Sequence, residues 1–251
     1  MTLPDLRGHT AVITGASRGI GAGLAREWAR QGLRLGLFAR GAPVLPESRD
    51  VVAARFDVTD EKALADFVAR VEERFGAIDC WVNNAGVLEP MAMLRDVDVA
   101  DFRHHLDVNL TGVFLGTRAY VRHLRARGRS GVLLNVSSGA AQSAYAGWSA
   151  YCAAKAGMER MTECVQLEEA ASGLRAHSIA PGVVDTAMQE LIRATPAERF
   201  PSLPRFLELA RDDAFNTPRF VAERLLAIAF DPAARPDTVV VRLPWEKSGP
   251  G

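Results

Sequence analysis

A tyrosine and a lysine four residues apart are the side chains of this sequence best suited to proton transfer. Tyr151 and Lys155 would share one face of a helix, because residues at i and i+4 are neighbours there. A phenol with a pKa near ~10 is a poor base at neutral pH, but a neighbouring ammonium stabilises the phenolate. Since the chain has only three tyrosines and three lysines, this spacing rarely arises by chance. The pair predicts an acid/base centre in which Tyr151 transfers the proton and Lys155 activates it.

A glycine-rich turn near the start of the chain is suited to binding phosphate. The predicted strand Thr10–Thr14 runs directly into Gly15, Gly19 and Gly21, and a helix follows. The first glycine permits a tight turn, the second lets backbone amides approach a pyrophosphate, and the third lets the helix pack closely on the strand. The phosphates would lie at the helix N-terminus, where free N–H groups favour anions. A plain glycine turn is the alternative, but its position after the first strand favours dinucleotide binding.

The end of the second predicted strand bears on which dinucleotide is bound. An acidic side chain there would hydrogen-bond a ribose 2′-hydroxyl and repel a 2′-phosphate. The strand Leu33–Ala39 is instead followed by Arg40. Arg40 and Arg18 suit a 2′-phosphate through their bidentate geometry, although arginine is abundant here and both could simply be solvated. The missing acid therefore carries most of the prediction that the cofactor is NADP(H).

Strands and helices that alternate along the chain must position these groups. Short apolar runs predict seven strands: Thr10–Thr14, Leu33–Ala39, Val51–Asp57, Ile78–Asn83, Gly131–Val136, Arg175–Ala180 and Thr238–Leu243. Apolar residues at three- and four-residue spacing predict helices: Ala22–Gln31, Glu61–Phe75, Phe102–Arg127, Ala150–Ala171 and Pro218–Ala229. This alternation predicts an α/β fold, a doubly wound and mainly parallel seven-stranded sheet with helices on both faces.

Two segments interrupt this alternation. Gly41–Asp50 is short and contains two prolines, so we expect a loop or a single turn. Residues 187–217 combine helical pieces with three prolines, a composition typical of a lid or pocket wall. We find no internal repeat or linker, and we expect residues 1–251 to form one domain.

Several motifs together resemble the short-chain dehydrogenase/reductase family. They are Thr14-Gly15-x-x-x-Gly19-x-Gly21, Asn83-Asn84-Ala85-Gly86, Asn109, Ser138, Tyr151-x-x-x-Lys155 and Pro181-Gly182. The resemblance covers about residues 8–187 and implies a Rossmann-type fold and an oxidoreductase acting on carbonyl compounds or secondary alcohols. The expected catalytic residues are Asn109, Ser138, Tyr151 and Lys155. The expected cofactor contacts are Gly15, Ser17, Arg18, Gly19, Ile20, Gly21, Arg40, Asp57, Val58, Asn84, Ala85, Gly86, Tyr151, Lys155, Pro181, Gly182, Val184 and Thr186.

The resemblance also implies individual roles for these residues. Ser138 would hydrogen-bond the substrate carbonyl, with Ser137 as the less favoured candidate. Asn109 would hold a water that links the lysine to solvent, or it would be a packing residue. Asp57 would contact the adenine, or it would only cap the chain before Thr59. In the turn that follows Pro181-Gly182, Val184 and Thr186 would fix the nicotinamide carboxamide.

The substrate is less well defined by the sequence. Tyr145 and Trp148 either line a ketone pocket with Ser138, Gly139 and Tyr151, or they fill the core. The shortened region after Arg40 is similar to members of the sepiapterin-reductase and benzil-reductase types, which points to dicarbonyl or bulky ketone substrates. The C-terminal end, from the strand Thr238–Leu243 onward, lacks the glycine-rich turn of many family members.

Composition excludes several other classes of function. Lys plus Arg equals Asp plus Glu at 30 each, so bulk charge indicates no nucleic-acid partner. No apolar run approaches the ~18 residues that span a bilayer, and we expect no membrane association. The three cysteines show no metal-ligand spacing, so we expect no metal and a cytoplasmic protein with reduced thiols. The helices Phe102–Arg127 and Ala150–Ala171 resemble the family's dimerisation pair, which implies a homodimer or homotetramer.

Two alternatives to this function remain open at the level of sequence. The first is a catalytically silent dinucleotide-binding regulator, which the four expected catalytic residues argue against. The second is an NAD-linked secondary alcohol dehydrogenase, which would need the same proton-transfer pair but a different ribose contact.

Overall fold

The computed structural model describes residues 5–248, and its seven strands form one parallel sheet. The strands are β1 (Thr10–Thr14), β2 (Arg34–Ala39), β3 (Val51–Arg55), β4 (Cys80–Asn83), β5 (Gly131–Val136), β6 (Leu174–Ala180) and β7 (Val240–Arg242). Their order in the sheet is β3-β2-β1-β4-β5-β6-β7. The chain therefore builds outward from β1 in one direction and then returns to build in the other. The predicted doubly wound α/β fold is confirmed.

Eight α-helices lie within the described residues. They are α1 (Gly19–Arg30), α2 (Glu61–Phe75), α3 (Val99–Leu106), α4 (Gly112–Arg127), α5 (Ser149–Glu169), α6 (Ala187–Ala194), α7 (Leu203–Arg211) and α8 (Pro218–Phe230). None of the helices in residues 5–248 is long and apolar enough to cross a membrane.

Successive strand residues point to opposite faces, and each face has its own core. Ile13 of β1 belongs to the core formed with α1 and α8, where Trp28 and Leu225 are fully buried. Val12 belongs to the core on the other face, with Phe67 of α2 among its members. Because both faces are covered, the strands are apolar at successive positions rather than at alternate ones.

Two predicted elements differ clearly from the structure, and the bounds of the others agree within three residues. The helix predicted over Phe102–Arg127 begins earlier, at Val99, and a π-helical turn over Asp107–Thr111 divides it into α3 and α4. Such turns occur as single-turn bulges inside α-helices, so the helical spacing on both sides predicted one continuous helix. The predicted strand Thr238–Leu243 is shorter and covers only Val240–Arg242.

The two segments that interrupt the alternation have the local structure expected of them. Gly41–Asp50 contains no helix and connects β2 to β3 through a loop. Residues 187–217 contain α6 and α7, with Pro204 in the first turn of α7, where proline is tolerated. These two helices lie over the end of the sheet at which the expected site residues gather.

Candidate active site

A cleft of about 720 Å³ opens at the carboxyl edge of the sheet. The sheet order reverses between β1 and β4, and ligands of open α/β sheets bind at such a switch point. Many of the expected site residues line the cleft: Gly15, Ser17, Arg18, Gly19, Ile20, Arg40, Asp57, Val58, Asn84, Ala85, Gly86, Asn109, Tyr151, Lys155 and Thr186. Residues far apart in the chain therefore meet at one surface.

Asn84 fastens the loop after β4 to the glycine-rich turn after β1. Its Nδ2 donates to the carbonyl oxygens of Thr14 at 2.9 Å and Gly15 at 3.3 Å. In return, the Thr14 hydroxyl accepts the backbone N–H groups of Asn84 at 3.0 Å and Ala85 at 2.9 Å. A Cβ atom on Gly21 would collide with the Gly15 carbonyl and would lie 2.5 Å from Asn84 Nδ2. Gly21 is therefore required for the helix to approach this junction.

The first turn of α1 presents unpaired backbone N–H groups to the cleft. Arg18 occupies the N-cap position in extended backbone, and no side chain caps the helix. Gly19 has a φ of +57°, and a Cβ atom there would lie 3.2 Å from Thr186 Cγ2. A helix N-terminus with free donors and a close glycine backbone fits the pyrophosphate of a dinucleotide.

Two arginines and one aspartate stand at the outer end of the cleft. Arg40 Nε lies 4.0 Å from Asp57 Oδ2, and 57% of the Arg40 side chain is exposed. Asp57 Oδ1 accepts hydrogen bonds from the Thr59 backbone at 3.0 Å and the Thr59 hydroxyl at 2.8 Å. Burial raises the pKa of Asp57, but these hydrogen bonds and Arg40 outweigh it and lower the pKa overall. Asp57 thus makes the capping contact and also lines the cleft.

Tyr151 and Lys155 lie at the inner end of the cleft, on α5. The exposed fractions of the two residues are only 7% and 6%. Lys155 Nζ donates to the Val136 carbonyl at 2.7 Å and lies 5.7 Å from the centre of the Tyr151 ring. Burial lowers the pKa of Lys155 to about 8, against the opposing effect of Glu159. Burial also raises the pKa of Tyr151 to about 12, and a hydrogen bond with Ser138 opposes this rise.

The two serines after β5 face different partners. Ser138 reaches the phenol of Tyr151, and its hydroxyl also accepts the Ala140 backbone N–H at 3.2 Å. Ser137 donates instead to Glu159 Oε1 at 2.8 Å and is buried. Of the two, only Ser138 is placed beside the tyrosine.

Asn109 lies in the π-helical turn, where its side chain contacts the segment after β4. Its Nδ2 donates to the Val87 carbonyl at 2.9 Å, and its Oδ1 accepts the Val87 backbone N–H at 3.1 Å. The side chain thus pairs with the Val87 backbone like a neighbouring strand. Both Asn109 and Val87 line the cleft.

The aromatic residues before Tyr151 pack under the segment that contains α6 and α7. Trp148 is 4% exposed, and its ring stacks on Phe200 with centroids 4.6 Å apart. Its ring also meets Tyr151 edge-on at 5.5 Å. Tyr145 is half-buried beside Trp148, with ring centroids 5.1 Å apart. This packing corresponds to the core alternative for Trp148, whereas Leu88, Met188 and Leu191 form the apolar wall of the cleft.

The turn after β6 rests on a residue that the sequence motifs did not single out. Asn216 is 2% exposed, and its Nδ2 donates to the carbonyl oxygens of Pro181 at 2.9 Å and Pro244 at 3.1 Å. Its Oδ1 accepts the Glu246 backbone N–H at 2.7 Å. Asn216 therefore ties the turn at Gly182 to the C-terminal segment. The only local signal was an asparagine just before the Thr217 N-cap.

His105 was also absent from the expected site. It is fully buried on α3, and its ring lies 6.0 Å from that of Tyr151. The chain has five histidines without metal-ligand spacing, and no sequence pattern distinguishes His105 from its exposed neighbour His104.

Comparisons with known proteins agree on one family. The family model described as short chain dehydrogenase matches residues 9–197. Cis-4-hydroxycyclohexanecarboxylate dehydrogenase of Sinomonas cyclohexanicum is 39% identical over 236 residues, covering 88% of this chain and 94% of the relative. Benzil reductase ((S)-benzoin forming) of Bacillus subtilis is 27% identical, covering 86% and 91%. The crystal structure of the KRED1-Pglu enzyme has a TM-score of 0.84 and 31% identity, covering 94% of this chain and 100% of that one.

Proposed function

The chain belongs to the short-chain dehydrogenase/reductase family of oxidoreductases, and we propose that it interconverts a carbonyl compound and a secondary alcohol with NADP(H). The observation that carries this proposal is the buried Tyr151, flanked by Ser138 and Lys155 at the inner end of the dinucleotide-shaped cleft.

In the reduction, Tyr151 donates its phenolic proton to the oxygen of the substrate carbonyl. The Ser138 hydroxyl hydrogen-bonds the same oxygen, so that negative charge developing there meets two donors. The ammonium of Lys155 stabilises the phenolate that remains, and the same side chain would hold the ribose of the cofactor. When bound, the nicotinamide supplies the hydride for reduction or accepts it in the reverse direction. The hydride adds to the carbonyl carbon and the proton to the carbonyl oxygen, which together give the alcohol.

Arg40 and Arg18 support the preference for NADP(H). Both line the outer end of the cleft, and the residue that follows β2 is Arg40 rather than an acid. A 2′-phosphate there would meet two guanidinium groups, and hydrogen bonds between charged groups are worth about 1.5–3 kcal/mol each. An NAD-linked dehydrogenase remains the alternative, and it is distinguished by equal affinity for the two cofactors.

The wall of the cleft supports an apolar ring as the substrate body. Leu88, Met188 and Leu191 face the inner end of the cleft, and Trp148 and Phe200 exclude water behind Tyr151. The name of the relative from Sinomonas cyclohexanicum refers to a six-membered ring that carries one hydroxyl and one carboxylate. We therefore propose cyclic ketones and their secondary alcohols as the first compounds to test, followed by diketones.

The decisive test is a screen of NADPH oxidation on ketones, diketones and quinones, with Tyr151→Phe as the control. General acid catalysis contributes about 10²–10⁴-fold to the rate. The kcat of the variant should therefore fall by about 10²-fold or more, while its binding of NADPH is retained. Turnover by Tyr151→Phe at the wild-type rate would refute the catalytic role. No turnover on any substrate, with intact NADPH binding, would favour the silent regulator.

The proposal also includes the oligomeric state of the protein and its location in the cell. The helices α4 and α5, expected as the dimerisation pair, expose Phe114 and Leu167, at 42% and 83% respectively. We propose a homodimer or homotetramer formed through these helices in the cytoplasm. Light scattering that gave the mass of a single chain, 27.2 kDa, would refute the assembly.

A further inference from the structure

His105 joins three parts of the site from a fully buried position. Its Nδ1 lies 2.7 Å from the Glu89 carbonyl oxygen, and its Nε2 lies 3.0 Å from Asn109 Nδ2. Its ring also meets the Tyr151 ring edge-on, with an interplanar angle of 81°. The imidazole thus contacts the segment after β4, the π-helical turn and the proton-transfer residue at once.

The orientation of the Asn109 amide determines what His105 can offer to it. Asn109 pairs with both the N–H and the carbonyl of Val87. Rotating the amide by half a turn would place donor against donor and acceptor against acceptor, so the Val87 backbone fixes its orientation. One N–H of Asn109 donates to Val87, and the other is shared between His105 Nε2 at 3.0 Å and the His105 carbonyl oxygen at 3.2 Å. His105 Nε2 therefore faces a donor nitrogen and must be the acceptor of that contact.

The tautomer of His105 follows from these contacts. Nε2 must carry no proton, and Nδ1, facing the Glu89 carbonyl, must carry one. A doubly protonated ring would turn Nε2 into a donor aimed at the N–H of Asn109. The network is satisfied only when His105 is neutral.

We propose that neutral His105 is a positioning residue for the active site, and that its protonation releases Asn109 and the segment Val87–Glu89. That segment and Asn109 line the cleft, so their displacement would disturb the floor on which substrate and cofactor lie. The effect on activity rests on the proposed function, whereas the tautomer and its effect on stability do not.

The surroundings of His105 favour its neutral form. Burial lowers the pKa of His105, and the Glu89 carbonyl opposes this effect. The ammonium of Lys155 on α5 and the neighbouring His104 repel a charged ring and lower the pKa further. Tyr151, the other titratable group against the ring, is neutral at these pH values, and Glu89 contributes only its backbone carbonyl.

The sign of the pH dependence follows from the lowered pKa. The unfolded chain takes up the proton near ~6.5, before the folded protein does. The stability that neutral His105 contributes is therefore complete above about pH 6.5. It is lost as the pH falls through the lower pKa of the folded state, and we expect activity to fall with it.

Three variants separate positioning from simple packing. His105→Gln can place an amide oxygen near the former Nε2 position and cannot titrate in this range. His105→Leu fills space but leaves the Glu89 carbonyl and an N–H of Asn109 without partners. His104→Gln changes the exposed neighbour on the same helix and serves as the matched control.

The experiment uses the full chain, first without cofactor. Imidazole ¹⁵N resonances should show the proton of His105 on Nδ1 at neutral pH. The melting temperature should fall in acid for the wild type and for His104→Gln. In His105→Gln the melting temperature should fall less, because the contribution from protonation of His105 is absent. In assays of reduction, His105→Leu should lose roughly tenfold or more of kcat/KM, since two buried groups lose their partners. His105→Gln should recover part of that loss and show a flatter acid limb.

Two results would overturn the proposal. One is a proton on Nε2 of His105 at neutral pH, and the other is a wild-type acid dependence of melting in His105→Gln. Neither measurement requires turnover, so they decide the inference even if the screen for activity finds no substrate. Conversely, an active Tyr151→Phe would refute the proposed chemistry and leave the His105 network standing.

Discussion

The buried tyrosine and lysine have opposite shifts in pKa, and both shifts favour the neutral form of the group. Burial raises the pKa of Tyr151 to about 12, so in the cofactor-free chain the phenol keeps its proton at neutral pH. Burial lowers the pKa of Lys155 to about 8, which still leaves it mostly charged there. The resting state is therefore a phenol beside an ammonium. That is the protonation state required to donate a proton to a carbonyl oxygen.

We predict that the two directions of the reaction respond differently to pH. Reduction needs the phenol of Tyr151, which is present at every pH below its pKa, so kcat/KM should be flat around neutrality, and the loss of the phenolic proton should lower it only in alkali. Oxidation needs the phenolate, whose population grows as the pH rises toward that pKa. Initial rates in both directions between about pH 6 and about pH 10 would test this.

The control for that prediction is Cys164→Ser, on the same helix as Tyr151, which should leave both profiles unchanged. Cys164 is a free, exposed thiol. A rate of oxidation that declined from neutral to alkaline pH would contradict the assignment of Tyr151 as the base.

At the scale of elements, Asn216 connects the end of the segment 187–217 to the turn after β6. Its amide bonds to Pro181, Pro244 and Glu246, and its backbone N–H donates to the Val183 carbonyl at 2.8 Å. The neighbouring Gly182 has a φ of +77°, and a Cβ atom on it would lie 2.9 Å from Asn216 Nδ2. The turn, the end of the segment 187–217 and the C-terminal segment thus share one buried side chain.

We predict that Asn216→Ala weakens cofactor binding as well as stability. The loss of several buried hydrogen bonds should cost about 1–3 kcal/mol and loosen the turn that leads to Thr186. NADPH fluorescence titration and thermal melting would measure the two effects separately.

Glu246→Ala is the comparison for that prediction. Glu246 accepts from the Thr217 backbone at 2.7 Å, so its removal frees the C-terminal segment and keeps the bond from Asn216 to Pro181. If both variants weakened NADPH binding equally, the effect would belong to the C-terminal segment rather than to the turn.

Elements whose cause is local could be predicted, and contacts between distant segments could not. The turn from Gly15 to Gly21 follows from a strand, three glycines and a helix in sequence. By contrast, the bond from His105 to Glu89 depends on the register of α3 against the segment after β4. The π-helical turn adds one residue to an otherwise regular period, and one such step within a long helical stretch does not separate two helices in the apolar pattern.

The environment of the aromatic residues could not be predicted either, because it also depends on contacts between distant segments. The alternatives of pocket and core for Trp148 could not be separated, because the residue that covers it, Phe200, comes from a different segment. Similarly, only the resemblance to the family favoured Ser138 over Ser137 in the sequence. The physical reason for that preference is that the Ser137 hydroxyl is already bonded to Glu159 on α5, a contact between distant segments.

At the scale of the whole molecule, the cleft joins the two halves of the sheet. The loop after β1 and the loop after β4 meet there through Asn84, and the sheet extends away from that junction on both sides. A dinucleotide that contacts both loops would bind the folded chain and not the unfolded one. Because the chain has no net charge, selection between cofactors must come from local groups such as Arg40.

We predict that NADP raises the melting temperature more than NAD does at equal concentration. A ligand at 100 times its Kd stabilises the folded state by about 2.7 kcal/mol, which corresponds to roughly 5–10 °C for a chain of this size. Arg40→Ala should shrink the shift with NADP and leave the smaller shift with NAD nearly unchanged, because only the former carries a 2′-phosphate. Lys62→Ala, which removes an exposed cation on α2 paired with Asp66, is the matched control and should alter neither shift. Equal shifts with the two cofactors, or an NADP shift that survives Arg40→Ala, would instead support an NAD-linked dehydrogenase.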